Sequence, residues 1–416
     1  MKHLLIVGGG VIGLCTAYYA ARKGHRVTVL DRRAADHEGC SYGNAGLVVP
    51  SHFVPLAAPG MVALGLKWMR RPDSPFYVKP RLDRELISWG LNFWRAANAA
   101  HVRRAAPLLR DLNLASRACF EEIAHLTGNV FGLEKKGLLC LCRTKRRWEE
   151  EARIAEQAMQ LGLKVEVFDA RQAARLDPNV RMDIAGAVYF HEDCHLTPAR
   201  FMAALKQQSE QLGVAISWLN QLTGWSVNGQ RIEAARTAKG DLTADEYVLC
   251  GGSWSPIVAR DLRLNFPIQA GKGYSLTLPK PGLSPAIPAI LTEARVAVTP
   301  MGQALRFGGT MEIAGLSEEI NPVRVRGIIN SVLKYYPDFT ARDFDGIQPW
   351  CGLRPCSPDG LPYVGRTRRY ANLSVAAGHA MLGLSLGPIT GKLMAEILSG
   401  AKPPFDLHLL DPDRYG

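Results

Sequence analysis

The first apolar run of the chain, His3 to Val7, has no polar interruption, as a parallel strand buried on both faces requires. Leu14 to Lys23 reads as a helix, Gly24 suits its C-terminal cap, and Arg26 to Leu30 reads as a second strand. Helical patterns recur at Leu86 to Ala100, Trp148 to Leu161, Pro198 to Leu212 and Pro388 to Leu398. Strand-like segments fall at Lys136 to Leu141, Tyr274 to Leu278, Arg295 to Thr299 and Ala304 to Gly308. Gln221 to Leu249 reads as a β-meander with turns at Asn228-Gly229 and Lys239-Gly240. Strands and helices mixed in this way predict an α/β protein.

Between the first strand and helix, Gly8, Gly10 and Gly13 stand in G-x-G-x-x-G register. The first glycine permits the tight turn, the second lets a pyrophosphate approach the backbone, and the third lets helix and strand pack closely. Amides and dipole at the helix N-terminus would face the phosphates. Asp31, ending the second strand, can accept hydrogen bonds from ribose hydroxyls and disfavours a 2′-phosphate. Met1 to Arg33 is therefore read as a dinucleotide-binding unit. By itself it does not separate FAD from NAD.

With 416 residues, 47% of them hydrophobic, the chain has material for about two domains. The net charge of +12 arises from scattered residues and short clusters at Arg70-Arg71, Arg103-Arg104, Lys145 to Arg147 and Arg366 to Arg369. A solvated basic surface explains them; an anionic membrane surface, an acidic substrate or a partner are the alternatives. No nucleic acid is expected, because aromatics are not interleaved with the clusters and no reader motif occurs. Nine cysteines without a C-x-x-C predict no metal, no iron–sulfur cluster and reduced thiols in a cytoplasm. The glycines that interrupt the opening apolar run argue against an export signal. A cytoplasmic protein, with possible peripheral attachment to the inner face of the membrane, is expected.

Three later stretches carry a resemblance. Ser41-Tyr42-Gly43-Asn44-Ala45-Gly46 is a small-residue loop of the kind that lets backbone approach a flat ring. Glu246 to Ser255 reads EYVLCGGSWS, and Trp350 to Gly365 (WCGLRPCSPDGLPYVG) is followed by NLSVAAGHAMLGL from Asn372. With PLAAPG (Pro55 to Gly60), LKWM (Leu66 to Met69) and KGYSLTL (Lys272 to Leu278), this set and order resemble the FAD-dependent D-amino-acid oxidase superfamily. That group includes glycine oxidase, sarcosine oxidase and D-amino-acid dehydrogenase. The bacterial D-amino-acid dehydrogenase branch is the most similar, and SHFVPLAAPG with GHAMLGLSLGP most resembles its D-hydroxyproline dehydrogenases.

The resemblance implies a discontinuous Rossmann-like FAD-binding domain from residues 1–52, 180–265 and 345–416. It implies a mixed-sheet α+β substrate domain from 53–179 and 266–344. Gly8, Gly10, Val11, Ile12, Gly13, Asp31 and Arg32 would hold the ADP half of a non-covalent FAD. Ser41, Asn44, Ala45, Gly46 and Leu47 would flank the flavin, with Gly251 and Gly252 nearby. Gly378, His379, Gly383 and Leu384 would close over the pyrimidine edge of the ring. Covalent attachment through Cys351 or Cys356 is the alternative.

Such an enzyme moves a hydride from a substrate Cα to flavin N5, so positioning is much of the catalysis. An arginine fork is the best holder for the carboxylate of a small amino acid. Arg354 is the first candidate, with a structural ion pair as its other reading; Arg306 is second, and an ion pair within the sheet suits it better. Tyr274 could add a hydroxyl or be a buried aromatic with its hydroxyl satisfied. His52 and Tyr363 are further wall candidates. Val54, Leu56 and Met61 would line a channel, meet a membrane or partner, or pack between domains.

The substrate implied is a small or cyclic D-amino acid, most specifically cis-4-hydroxy-D-proline, ahead of general D-amino-acid, glycine or sarcosine oxidation. The electrons would pass to a quinone, a partner subunit or oxygen. An NAD-dependent dehydrogenase and a non-catalytic flavoprotein subunit of a larger complex are the rival classes.

Overall fold

The strand His3–Val7 sends alternate residues into two cores. Leu4 and Ile6 join a helical cluster, whereas Leu5 and Val7 join a cluster with Trp225 and Ile232 of a hairpin. With apolar partners on both faces, no polar position is left from Leu4 to Val7. The computed structural model describes residues 1–37, 39–69 and 74–416, and the Arg70-Arg71 cluster lies outside them.

His3–Val7 sits inside a six-stranded sheet, ordered Tyr363–Arg366, Leu373–Ala377, Glu246–Leu249, His3–Val7, Arg26–Leu30, Ala215–Ser217. All neighbours are parallel except the Tyr363–Arg366 edge, which is antiparallel. Helices Val11–Arg22, Ala99–Leu126, Pro198–Gln211 and Gly387–Leu398 contribute to the core on the Leu4 side. The first and last of these helices approach so closely that a Cβ on Gly391 would stand 2.4 Å from the Cys15 carbonyl carbon.

A nine-stranded mixed sheet forms the second layer. Its order is Trp350–Cys356, Gln269–Leu278, Ala304–Ile313, Val296–Met301, Ala289–Leu291, Leu138–Cys142, Gly186–Phe190, Val165–Asp169, with Phe76–Val78 added beside Ala304–Ile313. Helix Pro322–Tyr335 packs Val325, Ile328 and Val332 against it.

Several expectations are corrected. The first helix starts at Val11, not Leu14, so Gly13 lies inside it. Glu246–Leu249 leaves the meander and pairs with His3–Val7; only Leu222–Asn228 and Arg231–Thr237 form the hairpin. Gly186–Phe190 and Trp350–Cys356, expected with the flavin half, hydrogen-bond within the nine-stranded sheet. Helix Ala99–Leu126, inside a span expected in the substrate half, packs with the nucleotide core. The residues of a strand do not mark which sheet it joins, because its pairing partners lie far away in the chain. The helix expected at Leu86 to Ala100 is Arg84–Ala96, and Asn98 caps the separate 28-residue helix that follows. Pro107 inside that helix punctuates the pattern.

Among the described residues, no helix is long and apolar enough to cross a membrane.

His195 is buried, and neither ring nitrogen has a hydrogen-bond partner among the described residues. Glu134 Oε1 lies 4.0 Å from its Nε2, but burial dominates and pushes the imidazole below its usual 6.5. The unfolded chain then takes up this proton first. Its contribution to stability is present above about pH 6.5 and is lost as the pH falls toward the folded value. We expect His195→Leu to flatten the acid side of the stability curve by up to about 1.4 kcal/mol per pH unit. Urea unfolding of wild type and variant from pH 7 to pH 5 measures this; parallel curves would refute it.

Candidate active site

A cavity of about 640 Å³ opens along the C-terminal ends of the six-stranded sheet and reaches the nine-stranded one. Its dinucleotide end begins at Gly8, which has φ +114°, and whose Cβ would stand 2.4 Å from the Cys250 carbonyl oxygen. Glycine is the residue that tolerates both conditions. Ser41 Oγ accepts the Val11 amide at 3.1 Å, tying the loop of residues 41–46 to the helix N-terminus. Asp31 accepts the Gly9 amide through Oδ2 at 2.7 Å and the Arg33 amide through Oδ1 at 2.8 Å. Its carboxylate is thereby fixed on the cavity wall, with acceptor capacity to spare for hydroxyls. Beside it the Arg32 guanidinium lies 4.1 Å from the centre of the Trp254 ring.

Of the expected cofactor residues, Gly8, Gly10, Val11, Ile12, Asp31, Arg32, Ser41, Asn44, Gly251, Gly252, His379, Gly383 and Leu384 line this cavity. Gly13, Ala45, Gly46, Leu47 and Gly378 do not. They stand behind the wall, and three of them need a small residue there. A Cβ on Gly13 would be 1.8 Å from the Gly8 carbonyl oxygen, and one on Gly46 2.3 Å from the Leu196 oxygen. Gly378 packs against the Tyr363 ring.

His379 is buried in the wall with Nε2 3.0 Å from Thr390 Oγ1, and Nδ1 has no partner among the described residues. Burial pushes its pKa down to about 3, so the ring is neutral at any ordinary pH. An orphaned buried nitrogen beside a glycine cradle is a site that a polar heterocycle can complete.

Arg354 projects from strand Trp350–Cys356 into the cavity. Its Nη1 donates to the Thr310 carbonyl at 2.7 Å, and among the described residues it has no carboxylate partner. The structural ion pair thus finds no partner among the described residues. Two features aim it. Thr310 has φ +67° at a bulge between the strands Gln269–Leu278 and Ala304–Ile313. The guanidinium also lies over Gly273, where a Cβ would come within 2.0 Å of Nη1. Neither Thr310 nor Gly273 was expected; the only local signal was the glycine in Lys272-Gly273-Tyr274.

The other substrate candidates do not line the cavity, and for Tyr274 the alternative, a buried aromatic with its hydroxyl satisfied, is what the structure has. The Tyr274 hydroxyl donates to Glu312 Oε2 at 2.8 Å on the far face of the sheet, as alternation from Gly273 requires. Arg306 donates to the carbonyls of Tyr42 and Asn44 at 3.0 and 2.8 Å, so it holds the loop of residues 41–46 rather than lining the cavity. His52 is not in the wall: Nδ1 lies 3.0 Å from Ser51 Oγ, which also bonds Asp193 at 2.5 Å. Burial brings His52 down to about 4 and raises Asp193 to about 7. Tyr363 is fully buried, donating to the Pro267 carbonyl beneath the Arg414 guanidinium. Val54 and Leu56 pack against apolar clusters, and Met61 begins helix Met61–Trp68; none lines the cavity. Neither Cys351 nor Cys356 lines it, whereas Cys40 and Cys250 do.

Comparison with known proteins agrees with this geometry. A D-amino acid dehydrogenase of Granulibacter bethesdensis is 34% identical over 419 residues, covering 99% of both chains. One from Paramagnetospirillum magneticum is 33% identical over 99% of this chain and 98% of its own. Glycine oxidase from Geobacillus kaustophilus shares the fold with a TM-score of 0.79 at 22% identity, covering 100% of this chain and 99% of its own. Iminodiacetate oxidase from Chelativorans sp. BNC1 does so at 0.73 and 21%, covering 98% of each. The model of the FAD dependent oxidoreductase family called DAO matches residues 3–397, so the chain belongs to that family and FAD is its dinucleotide.

Proposed function

We propose that this FAD-dependent oxidoreductase oxidises a small or cyclic D-amino acid at its Cα–N bond. In its most specific form the substrate is cis-4-hydroxy-D-proline and the product the cyclic imine Δ1-pyrroline-4-hydroxy-2-carboxylate. The observation that carries the reading is the Arg354 guanidinium, pointed into the flavin cavity with no carboxylate partner among the described residues. The names of the full-length relatives support a D-amino acid, and SHFVPLAAPG and GHAMLGLSLGP support the cyclic one.

FAD, when bound, supplies the acceptor at N5 for the hydride that leaves Cα. Arg354 gives one N–H to Thr310 and keeps the others for the substrate carboxylate. That fork fixes the substrate's direction and hence which face of Cα points at the ring. The neutral His379 offers a ring nitrogen to the cofactor edge and adds no charge beside it. A substrate amine that is already neutral needs no protein base: loss of the hydride leaves an iminium, which gives its N–H proton to water and becomes the imine. The electrons then pass to a quinone, a partner subunit or oxygen.

The test is anaerobic bleaching of the flavin by cis-4-hydroxy-D-proline, D-proline, D-alanine, L-proline, glycine and sarcosine. We expect the first to bleach fastest. Bleaching by D-alanine and D-proline alike would favour a general D-amino-acid dehydrogenase. Bleaching only by glycine and sarcosine would move the activity to that class, and only by L-proline would end the D-amino-acid reading. No bleaching by any of them would favour a non-catalytic flavoprotein subunit. Arg354→Ala should keep its flavin and lose about two to three orders of magnitude in kcat/KM. Unchanged kinetics would remove Arg354 from the site.

A further inference from the structure

Helix Arg84–Ala96 carries two apolar stripes instead of one. Leu86, Trp89 and Phe93 face inward on a cluster with Met311, Cys356 and Ala380, and Trp89 Nε1 donates to the Cys356 carbonyl at 2.9 Å. Ile87, Leu91 and Trp94, spaced four and three residues apart, form a second stripe that nothing among the described residues covers. They are 53%, 52% and 65% exposed. Leu82, just before the helix, is fully exposed. Isolated exposed apolar residues are ordinary, but a contiguous stripe on one helix is not.

The charge beside this stripe selects its partner. Arg84 and Arg95 line a shallow groove with Ile87 and Leu91, and among the described residues neither guanidinium has a carboxylate partner. The acid within the helix, Glu85, is held by Arg260 at 3.1 Å. Arg103 and Arg104, early in the next helix, are exposed and have no ion pair among the described residues. A second copy of this face would bring the same uncompensated arginines against one another. A surface of phosphates above acyl chains matches both features at once: the arginines meet the headgroups and the apolar stripe reaches below them.

We propose that the outer face of helix Arg84–Ala96 docks this protein on an anionic lipid bilayer, with the helix lying in the interface. The inner face of the same helix covers Cys356 and Ala380, next to the flavin cavity, so docking places that cavity close to the membrane surface.

The test is cosedimentation of the flavin-loaded protein with vesicles of phosphatidylglycerol and phosphatidylcholine in equal parts, against phosphatidylcholine alone. We expect binding to the anionic vesicles at least ~10-fold stronger, weakening with salt. The Ile87→Glu/Leu91→Glu variant should lose that binding while keeping its flavin content and its activity with a soluble dye. Arg84→Gln/Arg95→Gln should bind more weakly, with a shallower salt dependence. Absence of binding by the wild type at low salt, or equal binding by the Ile87→Glu/Leu91→Glu variant, would overturn the proposal. So would a concentration-dependent dimer that this variant dissolves, since the face would then belong to a second copy.

Discussion

Gly273→Ala will leave the protein folded and the flavin bound while raising the Michaelis constant for the amino acid by about two orders of magnitude. The new Cβ would stand 2.0 and 2.2 Å from the two terminal nitrogens of Arg354 and 2.3 Å from its Cζ. The clash is with the far end of a flexible side chain and not with backbone, so the guanidinium swings aside at little cost to the fold. It cannot swing aside and still present its fork to a carboxylate. Two charge-assisted hydrogen bonds contribute about 3 kcal/mol or more, which sets the size of the loss. The measurement is steady-state kinetics on the substrate that bleaches the flavin, with flavin content and melting temperature as controls. A Michaelis constant within twofold of wild type would mean that the substrate carboxylate is held elsewhere.

Gly13→Ala will bind almost no flavin and will melt roughly 5 °C lower, from the overpacking and the lost ligand together. Here the added Cβ would meet backbone, 1.8 Å from the Gly8 carbonyl oxygen, and neither partner can turn away. Gly8 is pinned by its φ of +114° and by the Cys250 carbonyl on its other side. The helix cannot retreat either, since Gly391 of the last helix presses on Cys15 from behind. The turn must therefore open, and the cradle for the pyrophosphate opens with it. Gly24→Ala is the control: Gly24 has φ +81° but open space around its Cα. That change should cost only about 1 kcal/mol and keep the flavin. The flavin-to-protein absorbance ratio and thermal unfolding separate the two variants. A fully loaded Gly13→Ala protein would refute the packing argument.

The features legible in the chain are those whose requirements are local. The strand His3–Val7, the glycine turn and the strand ending at Asp31 lie within some thirty residues, and each step is dictated by its own backbone. Apolar residues fill a two-faced strand, glycines fill a turn that excludes Cβ atoms, and an acid ends the next strand. Arg354 and His379 could be named because each stands in a motif that continues through its neighbours. Tyr274 was in such a motif too, yet its hydroxyl points to Glu312. Position in a motif placed the residue on the right strand, but alternation sent its side chain to the other face of the sheet.

What lay beyond reading was set by contacts between segments far apart in the chain. Arg354, Gly273 and Thr310 come from three strands that meet only in the nine-stranded sheet, and the left-handed Thr310 has no signature in a β-branched residue. Arg306, the second candidate for the carboxylate and better suited to an ion pair within the sheet, instead meets the Tyr42 and Asn44 carbonyls, which the chain does not reveal. The strands Gly186–Phe190 and Trp350–Cys356 carry no local mark of the sheet they join, since their pairing partners lie far away in the chain. Local chemistry thus settled that this chain cradles a dinucleotide. Long-range packing settled that Arg354 faces that cavity with no carboxylate partner among the described residues, because the pairing of a charge belongs to the assembled neighbours and not to the residue itself.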